Sequence, residues 1–295
     1  MDHMMQGNIL LALAAALFWG GGDFSGGMGV KTVGGSTGGA LRVVVLSHLT
    51  SFTVLTIYAA LRGMPVPHGA ILAWGVGAGI AGGLSLTAFY IALSRGAMGV
   101  SAAISGLLAA AIPAVISLLE DGSPGGWRLG GFVVAGVAIW MIAVGPQTMD
   151  TGKTSDKGTT LLAVLAGAGF GIYFVALKMA GSAGPVVTMA TARVGSMGVC
   201  SLLLLVFWMK GGGEKVRITG KAIRWVLLAA LLDTSGNMMF IAATQAGRLD
   251  VAAVLASLYP ASTILLAAYV LKERPTRRQG LGMLVAAAAV VMITL

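Results

Sequence analysis

Three kinds of residue in this chain could do chemistry, and all of them sit in apolar surroundings. Asp233 lies about halfway along the apolar run 223–246, with Asn237 one helical turn later on the same face and Gln245 further along. A carboxylate and an amide so placed could bind a cationic or hydrogen-bonding group, or cycle a proton. The structural alternative is a buried clamp satisfied by neighbouring hydroxyls and amides. Centring a charge in a bilayer costs at least roughly 2.5–3.5 kcal/mol, so the residue marks a functional position first. Arg42 and Arg193 stand early in two other apolar runs, near the membrane surface, and Asp23 stands late in the first, at the depth of Arg42. An Asp23–Arg42 pair would stabilise the fold or gate it, with Arg193 in the equivalent role. Lys178, near the end of its run, reads as a snorkelling side chain. The aromatic residues Trp19, Tyr90, Phe170, Tyr173, Phe174 and Tyr259 could hold a ring or a quaternary ammonium, and equally could be core or interface belt. His48, midway along the second run, could carry protons or simply pack.

The elements that must position these residues follow from composition. Of 295 residues, 57% are hydrophobic and 10% charged, and the mean hydropathy is +0.91. A bilayer core of about 30 Å needs about 20 apolar residues per helix, and the runs 7–24, 39–61, 70–93, 99–119, 127–144, 160–179, 186–209, 223–246, 251–271 and 279–295 supply ten candidates. An all-α integral membrane fold is required because every backbone N–H in hydrocarbon needs an internal partner. The 45 glycines permit close helix contact. Pro113 and Pro260 each remove one helical hydrogen bond and invite a kink. The net charge of +9 resides in short breaks between the runs, which is an orientation signal and not a nucleic-acid footprint. Lys and Arg gather in the odd-numbered connections, placing both termini outside the cell. The single cysteine, Cys200, excludes an internal disulfide and a thiolate metal cluster. The first run follows a stretch without Lys or Arg and reads as a retained helix, not a cleaved leader.

A shift of 151 positions aligns Arg42 with Arg193, Gly20 with Gly171, Phe89 with Phe240, Gly131 with Gly282, Met141 with Met292 and Ile142 with Ile293. The chain therefore divides into two five-helix repeats, 1–146 and 158–295, joined by a linker at 147–157. An odd number of spans per repeat makes the copies enter the membrane in opposite senses, with a substrate site expected at mid-membrane between them.

Three stretches carry a family resemblance: Leu17-Phe18-Trp19-Gly20-Gly21-Gly22-Asp23-Phe24, Leu258-Tyr259-Pro260-Ala261-Ser262-Thr263, and Leu271-Lys272-Glu273-Arg274-Pro275 with Gln279-x-x-Gly282. In this order they resemble the EamA-type branch of the drug/metabolite transporter (DMT) superfamily. The resemblance implies a ten-helix basket with a central cavity, working by alternating access, and it makes Trp19 and Tyr259 the preferred aromatic cavity residues. Leu118-Leu119-Glu120-Asp121-Gly122 in the first half lacks the basic partner seen in Glu273-Arg274. The expectation is a secondary transporter of a small organic metabolite, an amino acid, amine or drug-like solute. Export is the expected direction, and the expected location is a bacterial inner membrane. Its partners are the substrate, lipid and an optional coupling proton, with no nucleic acid and no cofactor. Both a monomer and a homodimer are compatible. A membrane scaffold or receptor is the alternative from another class. An intramembrane aspartyl protease is a third, because Gly20-Gly21-Gly22-Asp23 matches a Gly-x-Gly-Asp signature and Asp233 could complete a dyad. Those enzymes carry the motif on the second aspartate and follow it with Pro-Ala-Leu, and neither holds here. No phosphate loop and no His-Glu-x-x-His are present.

Overall fold

The structure is a computed structural model describing residues 2–94, 98–143, 157–211, 219–272 and 275–295. Side chains are described for all of these except 2–5, 90, 91, 93, 94 and 98–103. The helices are α1 (Asp2–Thr32), α2 (Thr37–Leu61), α3 (Gly69–Ser94), α4 (Met98–Asp121), α5 (Gly126–Ala143), α6 (Lys157–Ala180), α7 (Pro185–Met209), α8 (Gly220–Ala246), α9 (Leu249–Ala256), α10 (Tyr259–Val270) and α11 (Arg277–Thr294). Among the described residues there is no strand. The helices provide ten spans long and apolar enough to cross a membrane, with α9 and α10 sharing one of them. The chain is thus an all-α integral membrane protein.

Local chemistry sets several helix ends. Ser36 starts α2 by accepting a bond from the Gly39 amide at 3.1 Å, just after a turn in which Gly34 and Gly35 hold φ of 95° and 71°. Thr219 starts α8 in the same way, accepting from the Ala222 amide at 3.2 Å. Thr276 and Gln279 form a capping box at the start of α11, and Gln279 also donates to the Ile142 carbonyl at the end of α5. Part of the Gln279-x-x-Gly282 signature is therefore a helix cap.

Pro260 does more than kink the ninth span. Without an amide hydrogen it cannot continue the ladder, and the chain passes through Ser257 and Leu258 on tight turn bonds, Leu258 N–H to Leu255 at 3.2 Å and Ala261 N–H to Leu258 at 3.0 Å. Pro113 is absorbed within an unbroken α4. The two pieces differ in environment, since α9 is wholly buried and α10 has no buried residue.

Helices from the two halves of the chain interleave. α1 packs on α8, α3 on α6 and α7, α4 on α6, and α5 on α11. Some of these contacts are reciprocal under the shift of 151. A Cβ on Gly131 would fall 2.8 Å from Ile293 Cγ1 and 3.1 Å from Met292 Cβ, while one on Gly282 would fall 2.9 Å from Ile142 Cγ1 and from Met141 Cβ. Likewise Gly20 abuts Thr263, and its counterpart Gly171 abuts Ile112, the residue 151 before Thr263.

Candidate functional site

One cavity lies at mid-span. Trp19 and Asp23 (α1), His48 (α2), Gly79, Gly82 and Gly83 (α3), Tyr173 and Phe174 (α6), Arg193 and Ser196 (α7), Asp233 and Asn237 (α8) and Tyr259 (α10) all line it. Leu86 and Phe89 from the later part of α3 and Ser105 and Ala109 from α4 extend the lining toward the face on which Lys31 lies. The space between atoms is about 800 Å³, part of it open to solvent, within the range of small-molecule pockets.

Glycine brings the walls together. On α3, Gly79 faces the Ala192 carbonyl of α7 so closely that no side chain fits, and a Cβ at Gly83 would fall 2.7 Å from Val199 Cγ1. Glycine at such positions lets two backbones approach as no larger residue would. On the opposite wall, a Cβ at Gly22 would come within 3.0 Å of the Asp233 amide nitrogen, so α1 and α8 meet at Asp233 itself, with Asp23 the next residue along α1.

The polar centre is built by α7 and α8. Arg193 is 4% exposed, forms an ion pair with Asp233 through Nη2, and donates from the same nitrogen to Thr234 Oγ1 at 3.0 Å. Its partner is not equally hidden, because the Asp233 side chain retains 40% exposure toward the cavity. Asn237 Nδ2 donates to the Asp233 carbonyl at 2.8 Å, and its Oδ1 accepts from the Tyr173 hydroxyl at 2.8 Å. Asp23 is exposed to the cavity and interacts electrostatically with Asp233. His48 is 6% exposed, and among the described residues its Nδ1 has no hydrogen-bond partner.

An aromatic wall stands beside this centre. Trp19 stacks on Phe174 with centroids 5.1 Å apart and planes 5° from parallel. It meets Phe240 at 5.5 Å and Tyr259 edge-on at 6.3 Å. Gly236 makes room for the indole, since a Cβ there would fall 2.9 Å from Trp19 Nε1. Phe89 and Phe170, the counterparts of Phe240 and Trp19 under the shift, also pair, with centroids 6.1 Å apart.

The structure brings together Trp19, Asp23, Tyr173, Arg193, Asp233, Asn237 and Tyr259 from the sequence expectations, along with His48. Three expectations are revised. Gln245 is not in the cavity lining and instead donates to the Lys178 carbonyl at 3.2 Å. The twelve residues from Asp233 turn it about 120° around the helix at 3.6 residues per turn. Arg193 lies deeper than the surface position expected for it and lines the cavity. Asp23 and Arg42 line different spaces, because Arg42 borders a separate depression with Ser201, Leu204, Leu205, Phe207 and Trp208. The side chain of Tyr90 lies outside the described residues, as do Glu273 and Arg274. Lys178 forms an ion pair with Glu120 at 3.0 Å. Ser105 and Ser196 escaped sequence reasoning, as small hydroxyls in apolar helices carry no pattern of their own, and Phe89 stands out in the sequence only as the counterpart of Phe240. The clustered glycines of α3 were the one available signal for its share of the wall.

A second polar cluster lies at the opposite end of the helices. Arg248 grips Asp250 with contacts of 3.1 Å from Nε and 2.7 Å from Nη2, and donates to the carbonyls of Asp121 at 3.2 Å and Gly122 at 2.7 Å. The Asp250 hydrogen bonds raise the Arg248 pKa above its ordinary value. Asn8, near the start of α1, donates to the carbonyls of Ala243 at 2.8 Å and Arg248 at 3.2 Å.

Comparison with known proteins agrees with this architecture. Residues 158–295 match the EamA-like transporter family, which belongs to the DMT superfamily. Its members are transporters. No curated protein matched the chain. The fold is similar to that of a solved structure recorded as "Crystal structure of protein", with a TM-score of 0.72 at 16% identity, covering 98% of this chain and 97% of the other.

Proposed function

We propose that this protein is a secondary transporter that exports a small organic metabolite across a bacterial cytoplasmic membrane. In this reading, 1–146 and 158–295 are inverted repeats that alternately expose the central cavity to either side. The observation that carries the proposal is the convergence of Trp19, Asp23 and His48 from one half with Arg193, Asp233 and Asn237 from the other around one mid-span cavity. The reciprocal contacts Gly131–Ile293 and Gly282–Ile142 support the inverted repeats, since a twofold axis makes each member of a contact meet the other's counterpart. The protease reading is disfavoured: Asp23 and Asp233 do share the cavity, but Asp233 is ion-paired with Arg193, whereas an aspartyl dyad shares one proton between its two carboxyls.

The test is efflux and counterflow from proteoliposomes loaded with a panel of amino acids, amines and drug-like solutes, with and without an imposed pH gradient. Flux above that of empty liposomes, abolished in Asp233→Asn, is expected. No flux of any solute would favour a scaffold, and tight binding without turnover a receptor.

A further inference from the structure

Which ions of the cavity a ligand can reach decides what that ligand is. Two carboxylates and one guanidinium face or border the space, giving a formal charge of −1 with His48 neutral. Among the described lining residues no other charged side chain is present. The positive group is withdrawn: Arg193 has a side chain 5% exposed, and its Nη2 is engaged by both Asp233 and Thr234. The negative groups are presented. Asp233 is 40% exposed on its side chain, and Asp23 faces the cavity with no hydrogen bond or ion pair among the described residues.

A second, independent feature lies in the same wall. His48 is 94% buried. It lines the cavity, and its Nδ1 lacks a hydrogen-bond partner among the described residues, leaving a polar group that a bound molecule could satisfy. Around these groups the surface is aromatic, from Trp19, Phe89, Phe170, Phe174 and Tyr259. This set suits an organic cation and not a bare metal ion, which would need several oxygen ligands. Among the described residues no cluster of metal-ligating side chains exists.

Resting on the transporter reading above, we infer that the substrate is an organic monocation carrying an apolar or aromatic body. Its ammonium sits between Asp23 and Asp233, and its body lies against the Trp19–Phe174–Tyr259 wall. The burial of Arg193 excludes amino acids, because an α-carboxylate would enter beside two carboxylates with no accessible cation to meet it. An exposed charge of the right sign next to an aromatic face favours a cation twice over.

The experiment is equilibrium binding of radiolabelled tryptamine and phenethylamine to the purified full-length protein in detergent, compared with tryptophan, indole-3-acetate and indole. These share a ring and differ in charge. The amines should bind at least tenfold more tightly than tryptophan and indole-3-acetate. Asp23→Asn should weaken amine binding tenfold or more, and Asp23→Glu should restore most of it. Thermal unfolding of both variants checks that they are folded, and among the described residues Asp23 makes no hydrogen bond whose loss would unfold the protein. Tryptophan or indole-3-acetate binding as well as the amines would overturn the inference, as would binding by none of the cations or an Asp23→Asn protein that binds amines unchanged. Its failure is distinct from that of the transporter reading: tryptophan flux in proteoliposomes without amine binding rejects the cation and keeps the carrier, whereas amine binding without any flux does the reverse.

Discussion

Among the described residues, two arginine–aspartate pairs are built in opposite senses. In the cavity the guanidinium is hidden and the carboxylate is wet, with side chains 5% and 40% exposed for Arg193 and Asp233. At the membrane face the carboxylate is hidden and the guanidinium is partly wet, 1% for Asp250 and 24% for Arg248. The difference teaches that an ion pair's job follows from which member is left accessible. A buried acid wrapped by its own helix start and a guanidinium, which itself reaches two carbonyls of another connection, is a fastening. A buried base with an accessible acid is a prepared surface.

The contrast breaks most sharply at the fastening. Arg248→Ala strands Asp250 in a dry environment and removes two bonds to the α4–α5 connection, so a loss of about 3–5 kcal/mol is expected in denaturant unfolding in detergent. An unchanged midpoint would show that the cluster does not hold that face. Asp233→Asn strands Arg193 in turn, but Thr234 and cavity water soften the loss. A destabilisation of about 2–3 kcal/mol is expected, together with loss of flux. The double change Arg193→Leu with Asp233→Leu should recover stability without recovering flux, because paired apolar replacements remove the desolvation cost. Recovery of both would mean that the pair is structural only.

Asn237→Leu leaves the Tyr173 hydroxyl without its acceptor and should cost about 1–2 kcal/mol. Adding Tyr173→Phe should reduce that cost, which a double-mutant cycle would measure. The smallest effect belongs to Lys178→Ala. Glu120 is 42% exposed on its side chain, so the melting shift should correspond to less than about 1 kcal/mol and should fade in high salt.

The fold was legible because hydrocarbon leaves so few options: ten apolar runs of sufficient length become ten spans. The boundaries were less so. α1 continues through Gly26, Gly27 and Gly29 to Thr32, since hydropathy falls in glycine while the helix does not. Asp233 was legible by its rarity. Arg193 reads as superficial because it comes early in its run, yet eight residues from the start of α7 at about 1.5 Å each is about 12 Å, close to the centre of the hydrocarbon. Its pairing with Asp233, forty positions on, is a product of helix packing, which no local pattern encodes. The break at Pro260 was visible only as a disturbance, because whether a proline bends or interrupts a helix depends on what its neighbours can bond to.

The helices α5 and α11 contribute nothing to the cavity lining, yet they hold the reciprocal glycine contact. A contact that maps onto itself when its two members trade places does not need to be remade when everything around it does. If the halves rock, these two helices are the spindle, and a bulky residue at Gly131 would be expected to seize the motion while leaving the binding surface untouched.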